Sequence, residues 1–177
     1  MSAIGMWLRA TWKLILPVLA LAQLAVMVNV QPVEGVPFGW RLDWAWMLSV
    51  WSGATLLLSP ASAAAVVALV LLNIGPDVQE GLPASVPRWR PVAHISLAVA
   101  IQGLVVQAVA LAVGSLTCWF CAADARGMTL PWQFFTGPAA LLAGVSVGSA
   151  VALLVPTFWS IPGVLFALFL GHRAFFW

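Results

Sequence analysis

The sequence predicts an all-α, polytopic helical membrane protein. It has about five transmembrane helices, six if one long segment divides, and a cytoplasmic N-terminus. Three observations predict this fold. The 177 residues are 63% hydrophobic and only 7% charged, where soluble domains carry about a quarter charged residues. The apolar runs are long enough to cross a hydrocarbon core of about 30 Å. They leave no room for a soluble domain, so residues 1–177 read as a single transmembrane domain. Aromatic usage is also lopsided, with eleven Trp, nine Phe and no Tyr. Trp7, Trp12, Trp40, Trp44, Trp46, Trp119, Trp132, Trp159 and Trp177 fall near the ends of the apolar runs. There the apolar ring and polar N–H of indole suit the membrane–water boundary. The net charge of +2 is small and scattered. It argues against nucleic acid as a partner and leaves the lipid bilayer as the first one.

The first apolar run is Leu14–Val30. Ala20-Leu21-Ala22 has the form of a signal-peptide cleavage site, but the run continues past it, so a span is expected instead of a cleaved leader. Pro17 is the expected kink. Arg9 and Lys13, with no acid beside them, put the N-terminus inside by the positive-inside rule. Gln31–Asp43 holds Pro32, Gly35, Pro37 and Gly39 and reads as a turn-rich outer loop, with Glu34, Arg41 and Asp43 as solvated charges. Trp44–Asn73 is thirty residues, about 45 Å as continuous helix. It is expected as one long span kinked at Ser59-Pro60, since fifteen residues on each side of the proline are too few to cross twice. The run Ala61, Ala63, Ala64, Ala65 and Ala68 offers a small-residue face for helix contact.

Residues 74–91, IGPDVQEGLPASVPRWRP, form the longest polar break. They hold four of the twelve charged residues and four prolines. Asp77 and Glu80 are three apart, between Pro76 as a helix start and Gly81 as a stop, which suits one turn of surface helix. Arg88 and Arg90 flank Trp89 immediately before the third span, Val92 to about Thr117. As ordinary anchors they need no partner; as a cytoplasmic contact surface they take a soluble one. Within the span, Gln102 and Gln107 lie on faces about 140° apart and are expected to bond to other helices. His94, near its cytoplasmic end, is expected to be a hydrogen-bonded residue and not a catalytic one.

Cys118 and Cys121, the only cysteines, follow at the outer end, where a local disulfide is expected to be permitted. The fourth span, Trp132–Val155, carries Ala140, Gly144, Gly148 and Ala152 at intervals of four, a ridge for close helix packing. A turn at Pro156–Pro162 leads to a short fifth run, Ile161–Leu170. Five crossings from an internal start put Arg173 outside, against the charge rule.

The chain has no phosphate-binding loop, no metal-protease motif and no serine-nucleophile signature, and none of its spans contains Asp or Glu. This argues against an ion-coupled carrier, which needs buried carboxylates or broken-helix ion sites. The Cys-x-x-Cys supports a quinone-linked thiol oxidase as one reading. A structural subunit of a larger membrane complex, docked through the Ala140–Ala152 ridge, is another.

The order of features resembles the type-2 ABC exporter permeases of Ala-rich bacterial genomes, over roughly Leu14–Leu170. A long second span ends in a Pro-Ala-rich run, Pro60–Leu72. A segment with acid, Gly-Leu-Pro and Pro-Arg-x-Arg follows, Asp77–Arg90. A Gly/Ala-rich span then closes with Leu-Val-Pro and a short turn, Gly144–Pro162. The resemblance implies that residues 74–91 contain a coupling helix, with Asp77, Glu80, Arg88, Trp89 and Arg90 facing an ATPase subunit. ATP would then bind that partner, with no catalytic residue, cofactor or metal on this chain. It further implies a multi-pass protein of the bacterial plasma membrane, working with other membrane subunits or a second copy. That family carries six spans per unit, and five are counted here.

Overall fold

The computed structural model describes residues 3–29, 44–74, 87, 89–121 and 133–175. Among these lie six helices and no strand: α1 (Ala3–Asn29), α2 (Trp44–Gly53), α3 (Thr55–Asn73), α4 (Trp89–Cys121), α5 (Gln133–Leu154) and α6 (Ser160–Phe175). Four segments are long and apolar enough to cross a membrane: Gly5–Val28, Trp44–Asn73, Trp89–Phe120 and Phe134–Leu154. At 16 residues α6 is shorter than the roughly 20 that a full crossing needs, so the bundle has four to five spans.

The centre is α3, which touches all five other helices. In the most apolar stretch of its span 67% of residues are buried, against 28%, 44% and 33% for the spans of α1, α4 and α5. Composition explains this place. Ala63, Ala64, Ala65, Val66 and Val67 are buried one after another, and side chains this small let neighbours approach from every direction. Lipid is as apolar as leucine, so close packing and interhelical hydrogen bonds, not water exclusion, hold such helices together.

The helices run up and down. Ile74 at the end of α3 and Val92 at the start of α4 share one apolar cluster. Met27 at the end of α1, Met47 at the start of α2 and Cys118 at the end of α4 share another, with Phe134 of α5 packed against it. The end of α3 and the start of α4 therefore lie at one end of the bundle, and the end of α1, the start of α2, the end of α4 and the start of α5 at the other. In this order α1 and α4 are parallel neighbours.

Three boundaries differ from the sequence reading. Helix α1 begins at Ala3, not Leu14, because nothing in MSAIGMWLRATWK breaks a helix. Arg9 and Lys13 ride on it with their charged ends exposed. Helix α4 likewise overruns its expected limits at both ends. The second span, expected as one long span, is a single run of 30 residues, Trp44–Asn73. Its two helices meet at Ala54, where the backbone stays helical: the Ala54 N–H bonds the Val50 carbonyl and its carbonyl accepts from Leu58, both at 3.0 Å. The Leu57 N–H also reaches the Ala54 carbonyl, at 3.1 Å, so the helix tightens there for one turn. Helix α3 runs on through Pro60. Helix α1 also continues without a break through Pro17.

Candidate functional site

The bundle interior is apolar except for a set of neutral polar side chains on α1, α3, α4 and α5. Thr11, buried on α1, donates to its own Trp7 carbonyl at 2.8 Å and accepts from Gln102 Nε2 on α4 at 2.9 Å. Ser96 on α4 and Ser149 on α5 approach to 2.6 Å, and each hydroxyl also lies within 2.8 Å of a carbonyl of its own helix. Two protons serve those three contacts, so only two of them are hydrogen bonds at any moment.

The expectation that both glutamines of α4 bond between helices holds for one. Gln102 reaches Thr11, although its Oε1 has no partner. Gln107 is also fully buried, yet neither of its amide atoms is bonded. The bridge at this level comes from its backbone instead: Trp51 Nε1 on α2 donates to the Gln107 carbonyl at 2.9 Å. The Gln107 side chain packs toward α5, where a Cβ on Gly137 would lie 3.3 Å from its Nε2 and 3.4 Å from the Trp51 ring. On α1, Gln23 is buried with Nε2 3.8 Å from Met27 Sδ and Oε1 unpartnered. Unpaired amides in a medium this dry are costly, which makes the faces of α1 and α4 that carry them the functional candidates.

The small-residue ridge is occupied from within the chain. A Cβ on Gly144 would collide with the Ser59 hydroxyl and stand 2.6 Å from the Ser59 carbonyl oxygen, and one on Gly148 would stand 2.6 Å from the Ala63 carbonyl oxygen. Ala152 is buried on the same ridge and Ala140 half-buried. The ridge is thus the seam between α5 and the central α3. A structural role in a larger complex would need some other docking face.

Of the expected cytoplasmic contact residues, Asp77, Glu80 and Arg88 lie outside the described residues, as does the expected coupling helix. Trp89 and Arg90 open α4 and are exposed, the guanidinium 5.9 Å from the indole centroid. Lys13 stands over Trp12 in the same way at 6.0 Å. The Trp89–Arg90 pair marks the start of α4, whereas the Trp12–Lys13 pair lies beside Thr11, which bonds Gln102 twelve residues further along α4 than Arg90. His94 is half-buried one turn after Arg90.

Cys118 is wholly buried among Met27, Met47 and Trp51. Cys121 is the last residue of α4, and its side chain lies outside the described residues, so the expected disulfide does too. A buried thiol in apolar surroundings is a poor nucleophile, which weakens the thiol-oxidase reading. No group of three or more His, Cys, Asp or Glu suited to a metal occurs among the described residues.

Sequence spacing did not mark out Gln23, Thr11 or Trp51. Two signals were present. Gln23 is the one polar residue between Leu14 and Val28, and Trp51 stands inside a span where the other tryptophans stand at its ends. No protein-family model, curated protein or solved structure matches the chain.

Proposed function

We propose that the protein is a permease-type membrane subunit of an ATP-driven export complex, without catalysis of its own. A separate ATPase docks on residues 74–91 and drives it. One observation carries this reading. Every buried polar side chain described is a Thr, Ser or Gln, the described Arg9, Lys13 and Arg90 are exposed, and the sequence of the long spans holds no Asp or Glu. A carrier powered by an ion or proton gradient keeps ionisable groups or broken-helix sites in its interior. A transporting bundle without them takes its energy from outside.

The connection 74–91 suits that entry point. It joins α3, in contact with every other helix, to α4, the longest helix at 33 residues. Force applied there reaches the centre of the bundle in one step. Arg88 and Arg90 close that connection, and the positive-inside rule puts such a cationic segment in the cytosol, where an ATPase would meet it.

Charge reversal tests the reading. Glu80→Lys with Arg88→Glu should remove an ATPase from material purified in mild detergent while leaving thermal unfolding unchanged. Retention of the ATPase by the double reversal counts against it. So does external labelling, in intact cells, of a cysteine placed at Gln79.

A further inference from the structure

We propose that the groove between α1 and α4 holds a single chain of a membrane lipid, and that this lipid carries a hydroxyl which hydrogen-bonds to Gln23. The inference is independent of the ATPase reading. The groove encloses about 280 Å³. Its wall runs from Leu16 to Val28 along α1 and from Val105 to Val113 along α4. Twelve residues of helix make it roughly 18 Å long. Its smallest side chains, Ala20 and Ala110, leave the space open, and the rest of the wall is aliphatic, methionine or Gln23.

Size decides the occupant. A helix over that length would fill roughly 1,400 Å³, taking a radius of about 5 Å, so a helix of a partner or second copy can cover the groove but cannot fill it. The volume is about nine times the ~30 Å³ share of a water molecule, the size of a short run of methylene or isoprene units. Water does not settle in a space with a single polar contributor, since a buried water needs two to four partners.

Gln23 supplies the selectivity. It is 1% exposed and lines the groove, with Nε2 turned to Met27 and Oε1 without a partner. Oε1 is buried, on a residue that lines the groove, and the terminal amide torsion is soft, so rotation of the amide presents its acceptor or its donor to the groove. A hydroxyl, which both donates and accepts, matches the amide in either orientation. Gln23 lies five residues before Val28, about 8 Å along the helix from that end. A hydroxyl there sits below the headgroup layer, with its chain running toward mid-membrane. A membrane-soluble isoprenoid alcohol or a phenolic head on an isoprenoid tail has this form. An ordinary diacyl phospholipid has only acceptors at that depth and can match the amide N–H alone.

The full chain in phosphatidylcholine vesicles, irradiated with either a photoreactive isoprenoid alcohol or a photoreactive phosphatidylcholine, tests this. Labelled peptides are mapped by mass spectrometry. The alcohol should mark residues 16–28 and 105–113 several-fold more densely than the lipid-facing side of α5. Ala110→Phe, or Ala20→Leu if that variant does not fold, should abolish the excess. Gln23→Leu should cut it about fivefold, the worth of one buried hydrogen bond. Uniform labelling of all lipid-facing helices, or an excess that survives both filling variants, overturns the site. Equal labelling by phosphatidylcholine, or no effect of Gln23→Leu, assigns the groove to bulk acyl chains and overturns the role of Gln23.

Discussion

Replacing Gly148 by alanine adds one methyl group where α5 meets the backbone of α3. That methyl would stand 2.6 Å from the Ala63 carbonyl oxygen, 2.7 Å from its Cα and 3.0 Å from its carbonyl carbon. Ordinary contact begins at 3.4 Å, so the helices must part by about 0.8 Å. No rotamer relieves the clash, because all three atoms are backbone. One turn away Gly144 meets Ser59 just as closely, so the parting opens two contacts together. Overpacking costs about 1–3 kcal/mol, and a seam of two backbone contacts belongs at the upper end. Against this, alanine improves helix propensity by about 1 kcal/mol, leaving a net loss of about 2 kcal/mol. At about 2–4 °C per kcal/mol for a chain of this length, the unfolding midpoint should fall by about 4–8 °C. The assay is thermal unfolding in mild detergent, followed by tryptophan fluorescence. Gly163→Ala in α6 is the control. A Cβ there meets nothing within 4 Å, so only the propensity gain remains and the midpoint should hold or rise. A Gly148→Ala variant as stable as the parent refutes the argument. So does rescue by Ala63→Gly, since removing a side chain cannot relieve a clash with backbone.

Other outcomes follow from the buried amides and the thiol. Thr11→Val and Gln102→Leu, made singly and together, should show a coupling of about 0.6–1.7 kcal/mol, the range for interhelical hydrogen bonds in membranes; strict additivity would deny the 2.9 Å contact. Gln107→Leu removes an amide with no partner, so it should leave the unfolding midpoint unchanged or raise it, whereas Trp51→Phe should cost about 1 kcal/mol through loss of the indole donor. With Cys121→Ala, the wholly buried Cys118 should react with a maleimide only after unfolding in strong detergent; prompt labelling of the folded protein would contradict its burial.

The membrane class and the four long crossings were legible in residue order, because hydrocarbon admits only helices whose backbone bonds are made internally. Arg9 and Lys13 misled the first boundary: they look like a preceding tail, but long cationic side chains can ride on a helix and reach the surface. The thirty residues Trp44–Asn73 were expected as one long span and are one; helix continues through Pro60, since a proline in a packed membrane helix finds support from neighbours. Of the candidate site, Gln102 was expected to bond across helices and does, whereas Gln107 gives its backbone to the contact and keeps its amide idle.

Composition and spacing by themselves determined that this chain is helical with segments long and apolar enough to cross a bilayer, that no carboxylate lies within them, and that Gly144 and Gly148 would meet another helix closely. Tertiary structure alone decided which helix that is, that α3 is the common neighbour, and that α1 and α4 leave a groove beside Gln23. The physical reason is that lipid gives no direction to an apolar face. Every such face satisfies hydrocarbon equally, so which helix packs on which depends on shape and on a few neutral hydrogen bonds that act only once the bundle has formed.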